Sequence, residues 1–138
     1  MLSNFPGENI VNGWPYNGSV SYDMPIGSLQ EWQLIGGQGP MPLGSVHPYH
    51  QHVTHFQILE SSLDTNGLVG MVGDYRDTVP LYLAMNFTVR FKAAIGGIMM
   101  IHCHVLRHED LGMMTLANIT TSSASVPAVA GKKKFLHP

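Results

Sequence analysis

The residues of this chain that could do chemistry gather around its only cysteine. Residues 102–113 read His-Cys-His-Val-Leu-Arg-His-Glu-Asp-Leu-Gly-Met, which places three histidines and a methionine at short, fixed spacings from Cys103. Two histidines, one cysteine and a weak axial methionine are the ligands of a blue-copper centre. The segment therefore predicts a copper site that handles single electrons.

A second group of histidines lies upstream, where residues 47–52 read His-Pro-Tyr-His-Gln-His. Successive side chains of a β-strand point to opposite faces. If this segment is extended, His50 and His52 share one face and His47 lies on the other. Seven of the eight histidines of the chain fall within residues 47–55 and 102–108, a density that favours metal binding over isolated surface or core histidines.

Strand parity divides these side chains into two candidate metal sites. If both segments are extended and adjacent, Cys103 shares a face with His47, and the turn after Cys103 can add His108 and Met113. The opposite face would carry a set of four histidines: His50, His52, His102 and His104. Zinc also binds cysteine and histidine, but the methionine and the division of the ligands between two faces favour copper.

Both motifs resemble those of the multicopper oxidases, the laccase-like family, in their C-terminal cupredoxin domain. That domain carries H-P-x-H-x-H and, later, H-C-H-x-x-x-H with a methionine or another residue ten places after the cysteine, and both motifs are complete here. The segments 9–13, 27–34 and 73–79 extend the resemblance to residues 8–120. The run 108–114 looks like the bacterial copper-efflux and spore-coat branch.

The resemblance implies a role for each motif residue. It implies that His47, Cys103 and His108 bind a type 1 copper, with Met113 as the axial ligand. In the copper-efflux and spore-coat branch, the carboxylate that matches Glu109 is implicated in proton delivery to the oxygen site. The resemblance also implies a type 2 copper ligand, His50, and three type 3 ligands, His52, His102 and His104.

The family places its trinuclear copper cluster between two cupredoxin domains, each of which contributes four histidines. This chain supplies one set of four, and the two remaining histidines, His55 and His137, do not form a second pair of H-x-H motifs. The resemblance therefore implies a partner, either another cupredoxin domain of a longer oxidase or a second copy in a homo-oligomer. A third alternative is that the chain uses only the type 1 site.

Length and composition set the outer limits of the interpretation. With 138 residues, we expect one domain over residues 1–120 and a flexible tail over 121–138, which includes a run of three lysines. A net charge of −2 gives no indication of nucleic-acid binding. The sequence shows no stretch long enough to span a membrane and no signal peptide. Most members of the family are exported, so the localisation stays open.

Short strand-like segments separated by glycine turns predict an all-β sandwich. The resemblance implies that this sandwich or barrel is cupredoxin-like, with Greek-key connections. We also expect a short helical turn at 105–110 that carries His108 back toward the copper. The predicted strands are 53–60, 78–83, 86–93, 98–102 and 113–120.

Two functions follow as hypotheses. In the first, a phenol, an aromatic amine or a metal ion reduces the type 1 copper, and electrons pass through Cys103 to a shared trinuclear site that reduces O₂ to water, with Glu109 relaying protons. In the second, the chain is a single-domain blue-copper protein that transfers electrons or binds copper without oxidase activity. A third reading, a domain that binds no copper, is disfavoured because every ligand position is intact.

Overall fold

The structure is a computed structural model, and it describes residues 11–36, 46–62, 69–82, 85–121 and 130–136. It contains ten strands and one short helix within these ranges. In chain order they are β1 (Val20–Pro25), β2 (Leu29–Ile35), β3 (Val46–Gln51), β4 (Phe56–Ser61), β5 (Tyr75–Arg76), β6 (Thr78–Tyr82), β7 (Asn86–Lys92), β8 (Gly97–Cys103), α1 (Leu106–Asp110), β9 (Met114–Thr120) and β10 (Ala130–Leu136). The described helix is too short to cross a membrane.

The strands form two five-stranded sheets, with the orders β1-β9-β8-β3-β6 and β10-β2-β7-β4-β5. Large side chains from both sheets, among them Trp32, Tyr49, Phe87 and Ile101, are almost completely buried in one core between them. In β9 every second residue is buried, which is the pattern expected when one face of a strand packs on a core. The predicted all-β sandwich is therefore confirmed.

The strands that carry the two motifs are neighbours in the first sheet. β3 and β8 pair antiparallel, so that Tyr49 lies opposite Cys103 and His50 lies opposite His102. Residues directly opposite one another in an antiparallel pair project to the same face. The core face thus receives Tyr49 and Cys103, and the outer face receives His50 and His102, as strand parity predicts.

On its other side β3 pairs with β6, an edge strand among the described strands. Here Pro48 lies directly opposite Pro80. Neither proline has an N–H group, so this position offers no donor to the ladder. The carbonyl of Pro48 instead accepts a hydrogen bond of 2.8 Å from the backbone N–H of His104, which holds the residue that follows β8 against β3.

Two predicted segments differ from the observed structure. The strand predicted at 53–60 begins only at Phe56, because residues 52–54 form a bend in which Val53 adopts a positive φ of 71°. The flexible tail predicted at 121–138 contains β10, which pairs in parallel with β2. This pairing satisfies backbone groups that β2 would otherwise expose at the edge of its sheet. The lysine-rich composition of the segment does not predict such pairing. Residues 122–129 lie outside the described residues.

The short helix α1 confirms the helical turn that we expect at 105–110. The N–H of Met113 donates to the carbonyl of His108 over 2.9 Å, and Gly112 between them has a φ of 109°. That conformation is easily reached only by glycine. The chain can therefore reverse into β9 within a few residues and keep Met113 next to the helix.

The close approach of β2 to the segment after β6 supplies a test of the packing. Gly36 donates to the carbonyl of Met85 over 2.7 Å, and a Cβ at Gly36 would collide with the carbonyl oxygen of Tyr82. We expect Gly36→Ala to lower the free energy of unfolding by about 2 kcal/mol or more, because backbone atoms cannot easily move aside. Urea unfolding measures this loss of free energy of unfolding.

Gly96→Ala is the matched control for this substitution. A Cβ at Gly96 would come within 3.1 Å of the Thr121 side-chain methyl, which can rotate away, so we expect a loss below about 1 kcal/mol. Equal losses in the two variants would contradict the proposed backbone collision.

Candidate metal centres

The first candidate metal site lies inside the sandwich, where three elements meet. His47 from β3 and Cys103 from the end of β8 are buried, and His108 from α1 is partly buried. The Sγ atom of Cys103 lies 3.6 Å from His47 Nδ1 and 3.8 Å from His108 Nδ1, and the two Nδ1 atoms are 3.2 Å apart. Three potential ligand atoms therefore converge on one point.

These separations fit a metal ion with three ligands in a plane. Bonds of about 2.0 Å to nitrogen and about 2.3 Å to sulfur, arranged trigonally, separate the ligand atoms by about 3.5 to 3.8 Å. Two imidazoles and a thiolate in this geometry are the donor set of a blue-copper site. The residues present therefore fit copper.

Met113 lies beside this group and its side chain is fully buried. Its carbonyl accepts a hydrogen bond of 3.0 Å from the N–H of Cys103, and its own N–H donates to His108 over 2.9 Å. Main-chain contacts therefore tie Met113 to two members of the group. The axial role of Met113 stays a prediction.

Burial keeps the members of the first group uncharged when no metal is bound. Burial, and to a smaller extent His108, lower the pKa of His47 to about 4. Burial, followed by the nearby Arg107, also lowers the pKa of His108. Burial raises the pKa of the Cys103 thiol to about 11, against a lowering effect of the Val105 N–H. Both imidazoles are thus ready to bind a cation at neutral pH, whereas the thiol has to lose its proton to a metal.

The second candidate site lies on the opposite face of β3 and β8. Ligand atoms of His50, His52 and His102 all lie within 4.8 Å of one another, and the Nε2 atoms of His52 and His102 are 3.1 Å apart. The fourth predicted member, His104, is exposed, and its ring lies 5.3 Å from that of His50 and 5.6 Å from that of His102. All four predicted histidines therefore lie on one face, with three in a close group.

Neighbouring groups fix the orientation of the His50 ring. Its Nδ1 lies 3.0 Å from the carbonyl oxygen of Asp77 and 2.9 Å from the hydroxyl of Thr78 on β6. A proton on Nδ1 leaves the lone pair of Nε2 available to a metal. The sequence alone did not assign these contacts, although the β3–β6 register, with His50 opposite Thr78, accounts for them.

Glu109 contacts the second group from α1. One of its carboxylate oxygens lies 3.1 Å from Nδ1 of His102, and the same nitrogen lies 3.0 Å from the carbonyl oxygen of Cys103. Because the Glu109 side chain is partly exposed, it joins the His102 ring to the solvent. The proton-relay role of Glu109 stays a prediction.

Among the described residues, Arg76 and His55 belong to neither metal group. Arg76 pairs with Asp74 over 2.8 Å on the surface and touches neither group. His55 is exposed and lies in a shallow cavity with Tyr75 and Lys92. His137 lies outside the described residues.

Comparison with known proteins gives a consistent result. The family model described as "Multicopper oxidase" matches residues 1–123. Bilirubin oxidase from Albifimbria verrucaria is 29% identical over 118 residues, a match that covers 78% of this chain and 20% of that protein. Multicopper oxidase mco from Staphylococcus aureus is 26% identical over 111 residues, which covers 80% of this chain and 24% of the relative. The chain thus spans a fifth to a quarter of the length of these relatives.

Solved structures agree with the sequence matches. A multicopper oxidase from Campylobacter jejuni, described as a metallo-oxidase, superimposes with a TM-score of 0.64 at 28% identity, covering 78% of this chain and 22% of that chain. A laccase from Pediococcus acidilactici superimposes with a TM-score of 0.66 at 27% identity, covering 78% and 23%. Together with the two-sheet architecture, these matches confirm the predicted cupredoxin-like fold.

The contact between Thr78 and His50 gives a test of the second group. Thr78→Val keeps the shape of the side chain but removes the hydroxyl beside Nδ1 of His50. We expect Cu²⁺ to bind the second group about 10-fold to 100-fold more weakly, because the ring loses a group that orients it. Titration followed by electron paramagnetic resonance measures this affinity.

Thr120→Val is the matched control, because the Thr120 hydroxyl makes only a long contact of 3.4 Å to the Met24 carbonyl, far along the sheet from β6. Its Cu²⁺ affinity should equal that of the original protein. A similar loss of affinity in both variants would show that the Thr78 hydroxyl does not orient His50.

The shifted pKa values of His47 and Cys103 predict how the free energy of unfolding of the metal-free protein depends on pH. His47 titrates at about 4 when folded and near 6.5 when unfolded, so the unfolded chain binds more protons in this window and stability rises with pH. Cys103 titrates at about 11 when folded instead of 9.0, so between these values stability falls as pH rises. Urea midpoints of chelator-treated protein should show both trends.

Cys103→Ala isolates the contribution of the thiol to the fall in stability at high pH, because it removes the thiol and leaves the other groups that titrate at high pH in place. The difference between the original protein and this variant should shrink as the pH passes from 9.0 to 11. A constant difference across this window would contradict the buried, protonated thiol.

Proposed function

Because the chain belongs to the multicopper oxidase family, we propose that it is the copper domain that accepts electrons from a reducing substrate and passes them to a shared cluster that reduces O₂ to water. The family uses copper, and its members are oxidoreductases. In this proposal, His47, Cys103, His108 and Met113 hold the type 1 copper. The ligands proposed for the type 2 and type 3 coppers are His50, His52, His102 and His104.

One observation carries the proposal: adjacent residues of β8 belong to the two different groups. Cys103 lies in the first group and His102 in the second. The carbonyl oxygen of Cys103 also lies 3.0 Å from the His102 ring, so a hydrogen bond supplements the covalent link. An electron that arrives at Cys103 thus has a short bonded path to the second group.

The residues of the chain have distinct roles in this proposal. Copper, when bound, supplies a one-electron acceptor at the first group. Asp77 and Thr78 orient the His50 ring, as described above. Glu109, which touches both the solvent and Nδ1 of His102, relays protons toward the second group. The buried position of Cys103 keeps water away from its sulfur.

The proposal includes a partner that completes the second group. Three imidazoles lie close together and the fourth is exposed beside them. In this proposal these four are half of an eight-histidine site. A second copy could supply the other half across a symmetric interface. Another domain of a longer chain could also supply it, since this chain spans only 20% of bilirubin oxidase.

The second candidate function is electron transfer or copper binding without oxygen chemistry. It is favoured by the first group, whose candidate ligands all come from this chain, whereas the oxidase proposal adds a partner to the second group. Copper content distinguishes the two functions. The electron-transfer protein should hold about one copper per chain, and the oxidase clearly more.

Substitution of single histidines tests the oxidase. In copper-loaded, assembled protein, His52→Gln should retain the blue absorption of the first group but lose O₂ consumption with a phenolic substrate. The reason is that His52 belongs only to the second group. An oxygen electrode and visible absorption measure the two properties.

His55→Gln is the matched control, since His55 lies three residues away, is exposed and belongs to neither group. It should retain both properties, whereas Cys103→Ser should lose both. An original protein that holds one copper per chain and consumes no O₂ when assembled would refute the oxidase and favour electron transfer.

A further inference from the structure

The three close histidines of the second group differ in what orients their rings. Nδ1 of His50 lies 2.9 Å from the Thr78 hydroxyl, and Nδ1 of His102 lies 3.1 Å from Glu109. His52 is exposed, and among the described residues its ring makes a hydrogen-bond contact only through Nε2, with His102. Metal-binding histidines are usually oriented by a hydrogen bond to the other ring nitrogen. The position of His52 therefore depends on its main chain.

The main chain reverses directly after His52. The N–H of Thr54 donates to the carbonyl of His52 over 2.8 Å, which closes a three-residue turn, and Val53 at its centre has a φ of 71°. This combination is a γ-turn with positive φ, the rare and strained form of that turn. A β-branched residue is especially unfavourable there, because its side chain crowds the backbone. The chain thus holds strain one residue away from a candidate metal ligand.

The side chain of Val53 does not account for this conformation. It is 47% exposed, so burial of its methyl groups offsets little of the backbone strain. Glycine would adopt the same φ without strain. Strained backbone of this kind persists only where the surrounding structure fixes it, and it is concentrated at functional sites. The contacts that hold the turn therefore carry the explanation.

Both ends of the turn are tied to the sheet and the core. The N–H of His52 donates to the carbonyl of Met100 on β8 over 2.9 Å. Nε2 of Gln51, a residue that is almost completely buried, donates to the carbonyl of Thr54 over 2.9 Å. Oε1 of the same amide accepts a hydrogen bond of 2.8 Å from the buried hydroxyl of Tyr49, which fixes the orientation of the amide. Gln51 thus connects the turn to the core.

We propose that the γ-turn at Val53, held by Gln51, positions the His52 ring for metal binding, and that both are positioning residues of the second group. The turn leaves Nε2 of His52 3.1 Å from Nε2 of His102. Two nitrogens bound to one tetrahedral metal ion are about 3.3 Å apart. The proposal rests on the proposed function for copper at the second group, and it requires no oxygen chemistry.

The sign of one difference in stability tests the strained turn. Alanine normally gives a more stable protein than glycine, because it loses less conformational entropy on folding. The order reverses at a positive φ, which alanine adopts only with strain. Val53→Gly should therefore unfold at a temperature about 4 °C higher than Val53→Ala. Thermal unfolding of the chelator-treated variants measures both midpoints.

Val72 provides the matched control position. It is also an exposed valine in a turn, closed by the N–H of Asp74 and the carbonyl of Met71, but it lacks a positive φ. Here Val72→Ala should be more stable than Val72→Gly. If alanine were the more stable residue at position 53 as well, the strained turn would be refuted and the proposal with it.

Copper binding tests the positioning role. Gln51→Met removes the amide that holds the Thr54 carbonyl, so we expect Cu²⁺ to bind the second group about tenfold more weakly. Adding Val53→Gly to this variant should restore most of the affinity, because glycine adopts the positive φ without the help of the amide. Val53→Pro provides a second variant if Gln51→Met is unstable, since proline fixes φ at about −65° and excludes the turn. Titration followed by electron paramagnetic resonance measures these affinities, with Val72→Gly as the unchanged control.

Rescue by glycine separates positioning from packing. If Gln51 only filled space in the core, Val53→Gly would not restore the copper affinity that Gln51→Met loses, and the proposal would be overturned. Unchanged affinity in Gln51→Met and Val53→Pro would also overturn it. If the second group of the original protein bound no Cu²⁺, this proposal and the shared cluster would fail together. The expected pattern of affinities without O₂ consumption would support the proposal and refute only the oxidase.

Discussion

The antiparallel register between β3 and β8 is the constraint on which the candidate sites depend. Tyr49 lies opposite Cys103 and His50 opposite His102, so one face of the pair meets the core and the other meets the second group. A slip of one residue would exchange these faces and separate every ligand from its group. Burial of Tyr49, with its hydroxyl donating to Gln51 over 2.8 Å, makes such a slip costly.

The same register sets different electrostatic conditions on the two faces. On the core side, burial favours neutral imidazoles and a protonated thiol, so a metal ion that binds the first group displaces the thiol proton. On the outer side, His50 is only partly buried, and the Asp77 carbonyl opposes the lowering of its pKa by burial. A buried group and a second, more accessible group thus share one pair of strands.

Much of this arrangement could be predicted because it depends on strand parity. Alternation along two short segments separates His47 and Cys103 from His50 and His102, and the structure places them in that way. The sequence alone could not predict contacts that are made across the sheet. The contacts of Asp77 and Thr78 with His50 depend on the β3–β6 register, and β10 depends on a free edge of β2. The positive φ of Val53 contradicts the preference of a β-branched residue, so no local rule predicts it.

The opposed prolines of β3 and β6 have a consequence for how copies of this chain can associate. Sheet edges that offer a complete row of backbone donors and acceptors invite further strands and lead to aggregation. β6 is an edge among the described strands, is five residues long and contains Pro80 opposite Pro48, so it is a poor template for an added strand. The strand that carries the metal ligands is therefore screened on that side from growth into an extended sheet. If two copies met with the histidine face of each against that of the other, the contact would be symmetric and the assembly would close at two.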